Sequence, residues 1–264
     1  MDTLTELPAL PVLREKRTSG STWITINRAH KHNALARPVL QMLADAVREA
    51  AADTTTRYIV LCGTGDRYFA AGGDLKDLAS VRDEASVRTM MDEACGALDA
   101  IRLCPVPVLA YLNGDAIGGG AELALACDMR LQAANARIGY IQARLAITSA
   151  WGGGPDLFQL LGTSRAMRMM CRGELIDAAQ ALQWGLCDAV ITDGASGEDM
   201  NAFLKPMDRV SPQVLRGIKA QAIAARRENT WAAHRRVEQR HLMHTWLHDD
   251  HWAASENILT KGST

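Results

Sequence analysis

Residues 108–126 constrain the fold more than any other stretch of the chain. VLAYLNG (108–114) is an apolar run of strand type, Ile117 is followed by three consecutive glycines at 118–120, and AELALACD continues as an unbroken set of good helix formers. The pattern predicts a strand that enters a helix through a turn too tight to carry side chains. A second segment repeats the order. RYIVLCG (57–63) is β-branched and aromatic, fits a buried strand, and is followed by a glycine turn, Phe69-Ala70-Ala71-Gly72-Gly73-Asp74.

The rest of the chain fills in the same unit. TWITI (22–26) alternates as a strand and runs into Asn27-Arg28, and over 36–52 Leu40, Leu43, Val47 and Ala50 recur at helical spacing. Val87, Met90, Met91, Ala94, Leu98 and Ile101 predict a helix over 83–103 that stops before Pro105 and Pro107. A short strand is expected at 129–133, a helix from an Asp177 cap to Gly185, and a strand over 188–192. Strand, strand, helix, repeated, places the chain in the α/β class. Strand signals end near 197 and 206–262 reads as helical, so we expect a core over 1–195 and a C-terminal helical segment over 196–264.

Composition narrows the function. The 264 residues are 48% hydrophobic and 22% charged, which excludes collagenous, disordered and disulfide-scaffold chains. Twenty-nine basic against 30 acidic residues leave a net charge of −1, with no general attraction to nucleic acid or anionic membrane. No window approaches 18 apolar residues, and no signal core precedes Lys16, so a cytoplasmic location is expected. Six cysteines at 62, 95, 104, 127, 171 and 187 form no CxxC pair and read as buried, reduced hydrophobes.

The two glycine turns carry the chemistry. Neither fits a dinucleotide or phosphate-loop pattern. Each brings backbone N–H groups to the start of a helix, and two such groups aimed at one point would form an oxyanion hole. Taken singly, either turn is ordinarily a mere strand-to-helix connection.

Five motifs in order change that weighting: NRAHKHNAL (27–35), FAAGGDL (69–75), NGDAIGGGAELALACD (113–128), WGGGPDLFQLLG (151–162) and GELIDAAQALQWGLCDAV (173–190). Over nearly its full length the chain resembles the crotonase superfamily, the enoyl-CoA hydratase/isomerase group. The resemblance implies a spiral of ββα turns with two roughly perpendicular sheets. It further implies an acyl-CoA thioester substrate, no metal or redox cofactor, and a homotrimer or dimer of trimers. It places the oxyanion N–H groups at Gly73 and Gly119. Arg28 and Lys31 then become phosphate partners of CoA, Ala70 and Ala71 face its adenine, and Asp74, Trp151 and Lys261 also contact substrate or CoA.

Glu122 matches the first of the two glutamates of a hydratase, whereas the second falls on Gln142, where the family ordinarily reads FGxPE. An amide cannot donate a general-acid proton. GGGAELALACDMRL (118–131), ITSAWGG at 147–153 and the spacing from Glu238 through Trp246 to Lys261 also resemble the ethylmalonyl-type decarboxylases of the superfamily, which lack the second glutamate too. The sequence therefore favours decarboxylation of a short alkylmalonyl-CoA, with Gln142 on the substrate carboxylate and Glu122 held protonated. Hydration or isomerisation of an enoyl-CoA is the alternative, and an idle CoA-thioester binder is the reading from another class. His241, His244, His248 and His251 form a helical stripe that reads as solvated or interfacial rather than zinc-binding. Clustered arginines from 226 to 240 lack the interleaved aromatics of a single-strand RNA reader.

Overall fold

The computed structural model describes residues 10–226, 242–243, 246–247 and 249–261. Ten strands and nine helices among these residues divide between two sheets. The larger is ordered β1 (Val12–Lys16), β2 (Thr22–Ile26), β3 (Ile59–Gly63), β5 (Val108–Leu112), β7 (Met129–Ala133), β10 (Ala189–Ile191). The smaller is ordered β4 (Tyr68–Ala70), β6 (Asp115–Ile117), β8 (Arg137–Gly139), β9 (Ile176–Asp177). All pairings are parallel except β1 with β2 and β8 with β9.

Each repeat sends its first strand to the large sheet and its second to the small one: β3 then β4, β5 then β6, β7 then β8. The expected ββα spiral follows from that division. The second strands are three residues long, too short to leave an alternation pattern, and they went unassigned in the sequence. So did β1, β9 and the long α5 (Gly153–Arg172).

The inner strands β3 and β5 read as continuous apolar runs because both of their faces are covered. Ile59 and Leu61 face the inner core with Leu40, Leu43 and Val47 of α1 (Arg37–Ala52) and Leu98 of α3 (Glu84–Arg102). Val60 and Cys62 face the other way, against Met200 and Leu204 of α7 (Glu198–Asp208) and Leu215 of α8 (Pro212–Arg226). Helicity begins before 206: α7 starts at 198, and a break over 209–211 separates it from α8. α4 (Gly119–Ala126) is buried on every residue and so has no polar face. Of the six cysteines five are buried, but Cys171 on α5 is exposed, correcting its placement in the core.

Candidate active site

The two glycine turns meet. A Cβ on Gly72, whose φ is +96°, would lie 2.9 Å from the Ile117 carbonyl and 3.4 Å from the Gly119 nitrogen. Only glycine permits both that dihedral and that approach. The indole of Trp151 covers both turns, with ring atoms 3.6 Å from the Cβ position of Gly73 and 2.3 Å from that of Gly119. Gly73 and Gly119 line one cavity of about 350 Å³, and neither N–H has an acceptor among the described residues. Two backbone N–H groups at one cavity are the components from which an oxyanion hole is built.

Glu122 lies one turn into α4, lines the same cavity and is 2% exposed. Its Oε2 accepts from the Trp151 N–H at 2.9 Å and the Gly153 N–H at 3.1 Å, and its Oε1 accepts from Gln142 Nε2 at 2.9 Å. Donors on both oxygens are the surroundings of an ionised carboxylate. Gly153 permits them, since a Cβ there would sit 2.5 Å from Glu122 Cγ. Because Gln142 must present its NH₂ to the carboxylate, its Oε1 points away, and that oxygen is buried without a partner among the described residues.

The peptide that holds Glu122 is itself held. Arg102, near the end of α3 and 2% exposed, donates Nη2 to the Trp151 carbonyl at 3.1 Å and Nε to Asp156 at 2.8 Å, with Asp99 at 3.1 Å from Nη1. Gly152, at φ +85°, lies against this guanidinium: a Cβ there would be 3.0 Å from Nη2. Sequence reading missed Arg102. Its signal was an arginine immediately after Ile101, on the buried side of an amphipathic helix.

The remaining predicted residues divide. Trp151 and Ala71 line the cavity, and Lys31 is exposed on a short 3₁₀ helix, Ala29–Lys31. Arg28 is buried, donates to Asp74 at 3.0 Å and to the Ala34 carbonyl, and ties the 27–34 loop to the first glycine turn. Asp74 is likewise a brace, capping α2 (Leu75–Leu78) through Lys76 N–H. Burial raises its carboxyl, but Arg28 and the helix-start N–H groups leave it below the usual carboxylate range. Ala70 is fully buried at the end of β4, its carbonyl against Gly120.

From the C-terminal segment, Leu242, Trp246 and His251 line the cavity, and Trp246 donates Nε1–H to the Val81 carbonyl at 2.8 Å. Lys261 is the last residue of α9 (Asp249–Lys261), and its side chain lies outside what the structure describes. Glu238, His241, His244 and His248 lie outside the described residues, as does the arginine-rich stretch beyond Arg226.

Comparison with known proteins agrees with this geometry. A profile of the enoyl-CoA hydratase/isomerase family matches residues 16–259. The chain belongs to this family. Over 210 residues it is 32% identical to mouse methylglutaconyl-CoA hydratase, a stretch covering 80% of this chain and 66% of that protein, just under two thirds of its length. It is 35% identical over 196 residues to 2,3-dehydroadipyl-CoA hydratase of Escherichia coli, covering 74% of this chain and 75% of the relative. Among solved structures, an enoyl-CoA hydratase from Bacillus anthracis superposes with TM-score 0.78 at 28% identity, covering 89% and 92% of the two chains. One from Bacillus halodurans superposes at TM-score 0.84 and 21% identity over 94% of this chain and all of the other, and establishes the crotonase fold.

Proposed function

We propose that this protein is an enoyl-CoA hydratase or isomerase that works through a thioester enolate with one carboxylate. One observation carries the reading: Glu122, ringed by donors, shares a cavity with two backbone N–H groups that have no acceptor among the described residues. The thioester carbonyl binds between Gly73 and Gly119, whose N–H groups take up the charge that develops on oxygen. Each donor of such a hole contributes about 10²–10³ in rate. In isomerisation Glu122 removes a proton beside the double bond, the electron pair moves into the carbonyl to give the enolate, and Glu122 returns the proton at the other end of the allylic system. In hydration Glu122 takes a proton from water as the water oxygen bonds to the β-carbon, then returns it to the α-carbon.

The malonyl-type decarboxylation favoured by sequence required a protonated Glu122. Donors on both of its oxygens oppose that state, and an ionised Glu122 would repel a substrate carboxylate. The relatives compared above, named as hydratases, support the other course. CoA binding with Lys31 near its phosphates, and assembly as a trimer or dimer of trimers, belong to the same proposal. Incubation with crotonyl-CoA in D₂O tests it: deuterium enters the acyl chain, and Glu122→Gln slows the exchange by about 10²–10⁴. Turnover of malonyl-type esters with no exchange into any enoyl-CoA would overturn it.

A further inference from the structure

We propose that His251 is a specificity residue of this cavity, accepting a hydrogen bond from a hydroxyl carried on the acyl chain beyond the reacting carbons. The inference rests on the proposed function, since it assumes that a thioester occupies the cavity. The cavity lined by the two glycines also has an apolar wall formed by Leu78, Met90, Leu242 and Trp246, and on this proposal the acyl chain lies against it. His251, brought to that cavity by α9, is 1% exposed.

Its protonation follows from its partners. Nδ1 lies 2.9 Å from the Leu145 carbonyl, which can only accept, so Nδ1 carries the hydrogen. Ser255 Oγ is on the same edge, 3.4 Å from Nδ1. Trp246 and Trp252, each with its ring centre 4.6 Å away, pack against the imidazole and fix its plane. Burial and the positive charge of Arg82, which stacks on Trp252, hold the ring below its usual pKa and therefore neutral at pH 7. In a neutral ring with hydrogen on Nδ1, Nε2 presents a lone pair, and it has no partner among the described residues.

A buried acceptor gains when a ligand supplies a donor and loses when the ligand is apolar. A chain ending in a carboxylate would set its oxygens against the lone pair. A hydroxyl satisfies it. Leu145 closes the 3₁₀ turn that carries Gln142, so the same contact joins the acyl-recognition wall to the catalytic amide.

The test compares three thioesters of equal chain length: pentenoyl-CoA, the same chain with a terminal hydroxyl, and the same chain with a terminal carboxylate. The wild-type protein is expected to favour the hydroxyl form over the plain one by about tenfold in kcat/KM. His251→Phe should bring that ratio toward unity, and His251→Asn, which keeps an acceptor, should retain part of it. A wild-type ratio near unity, a preference for the carboxylate, or equal loss on all three substrates in both variants overturns the assignment. If the wild type turns over none of them, the proposed function falls. Competition binding of the saturated hydroxyacyl- and acyl-CoA pair then still decides the hydroxyl preference, which must again reach about tenfold.

Discussion

The amide nitrogen of Gln142 stands 2.9 Å from Oε1 of Glu122 and donates to it. The position where a hydratase of this family carries a second carboxylate thus serves the first one as a hydrogen-bond donor, and in the proposed mechanism acid and base duties fall to Glu122 alone. Replacing the amide changes this balance directly. Gln142→Glu would put two carboxyl groups in hydrogen-bond contact, where they share a proton because both cannot ionise. The added acid should raise crotonyl-CoA hydration by about 10² and make the pH–rate profile bell-shaped. An unchanged hydration rate in a folded variant would remove Gln142 from the account of the mechanism.

The indole of Trp151 covers the proposed oxyanion hole. Gly119→Ala places a methyl group 2.3 Å from Trp151 Cζ3, so the ring must move. Because the Trp151 N–H holds Glu122, the displacement reaches the carboxylate as well. A loss of about 10² in kcat is expected, with about 1–3 kcal/mol of overpacking visible in thermal melts. Steady-state kinetics on crotonyl-CoA checks it, and wild-type kcat would show that neither group is positioned by this contact.

Arg102 acts at one remove, through the Trp151 carbonyl and Asp156. Arg102→Met leaves buried Asp156 without its cation, an imbalance worth about 3–5 kcal/mol. Where that variant does not fold, Arg102→Lys keeps the charge but not the fork that reaches two acceptors. The lysine variant should lose kcat more than it raises KM, because the altered part is the Glu122 cradle and not the acyl wall. Equal effects on both constants would make Arg102 a stability residue only.

Two groups predict how the fold responds to acid. His251 has its pKa lowered from 6.5 by burial, so it is neutral when folded while the unfolded chain binds a proton first. Its contribution is complete above about pH 6.5 and is lost as the pH falls through the lower folded value. Asp74 is likewise lowered, from 3.8, so the Arg28 brace stays intact above that value and is lost only below it. Between pH 7 and pH 5 the melting temperature of wild type should therefore fall further than that of His251→Phe, while Asp74→Asn should track wild type over that range. Parallel curves for wild type and His251→Phe would show that the histidine does not titrate with unfolding.

The order of strand, glycine turn and helix was legible in the sequence because it is a local property. Periodicity in α1 and α3, the Asp177 cap with Gly185 at the far end of α6 (Ala178–Trp184), and the helix formers after Gly120 all act within a few residues. Gly73, Gly119 and Glu122 each lie inside one of those local signals, but the roles expected of them came from the family resemblance. Other facts depended on residues distant in the chain. Whether an arginine is offered to a phosphate or closed into a brace depends on a carboxylate 46 residues away, and Arg28 meets Asp74 only once the loop folds onto the turn. The surroundings of Glu122 come from residues 142, 151 and 153, and the bracing of residue 151 comes from Arg102. A side chain's type is written in the sequence, but its charge state and its role depend on the donors and acceptors that tertiary packing brings within 3 Å of it.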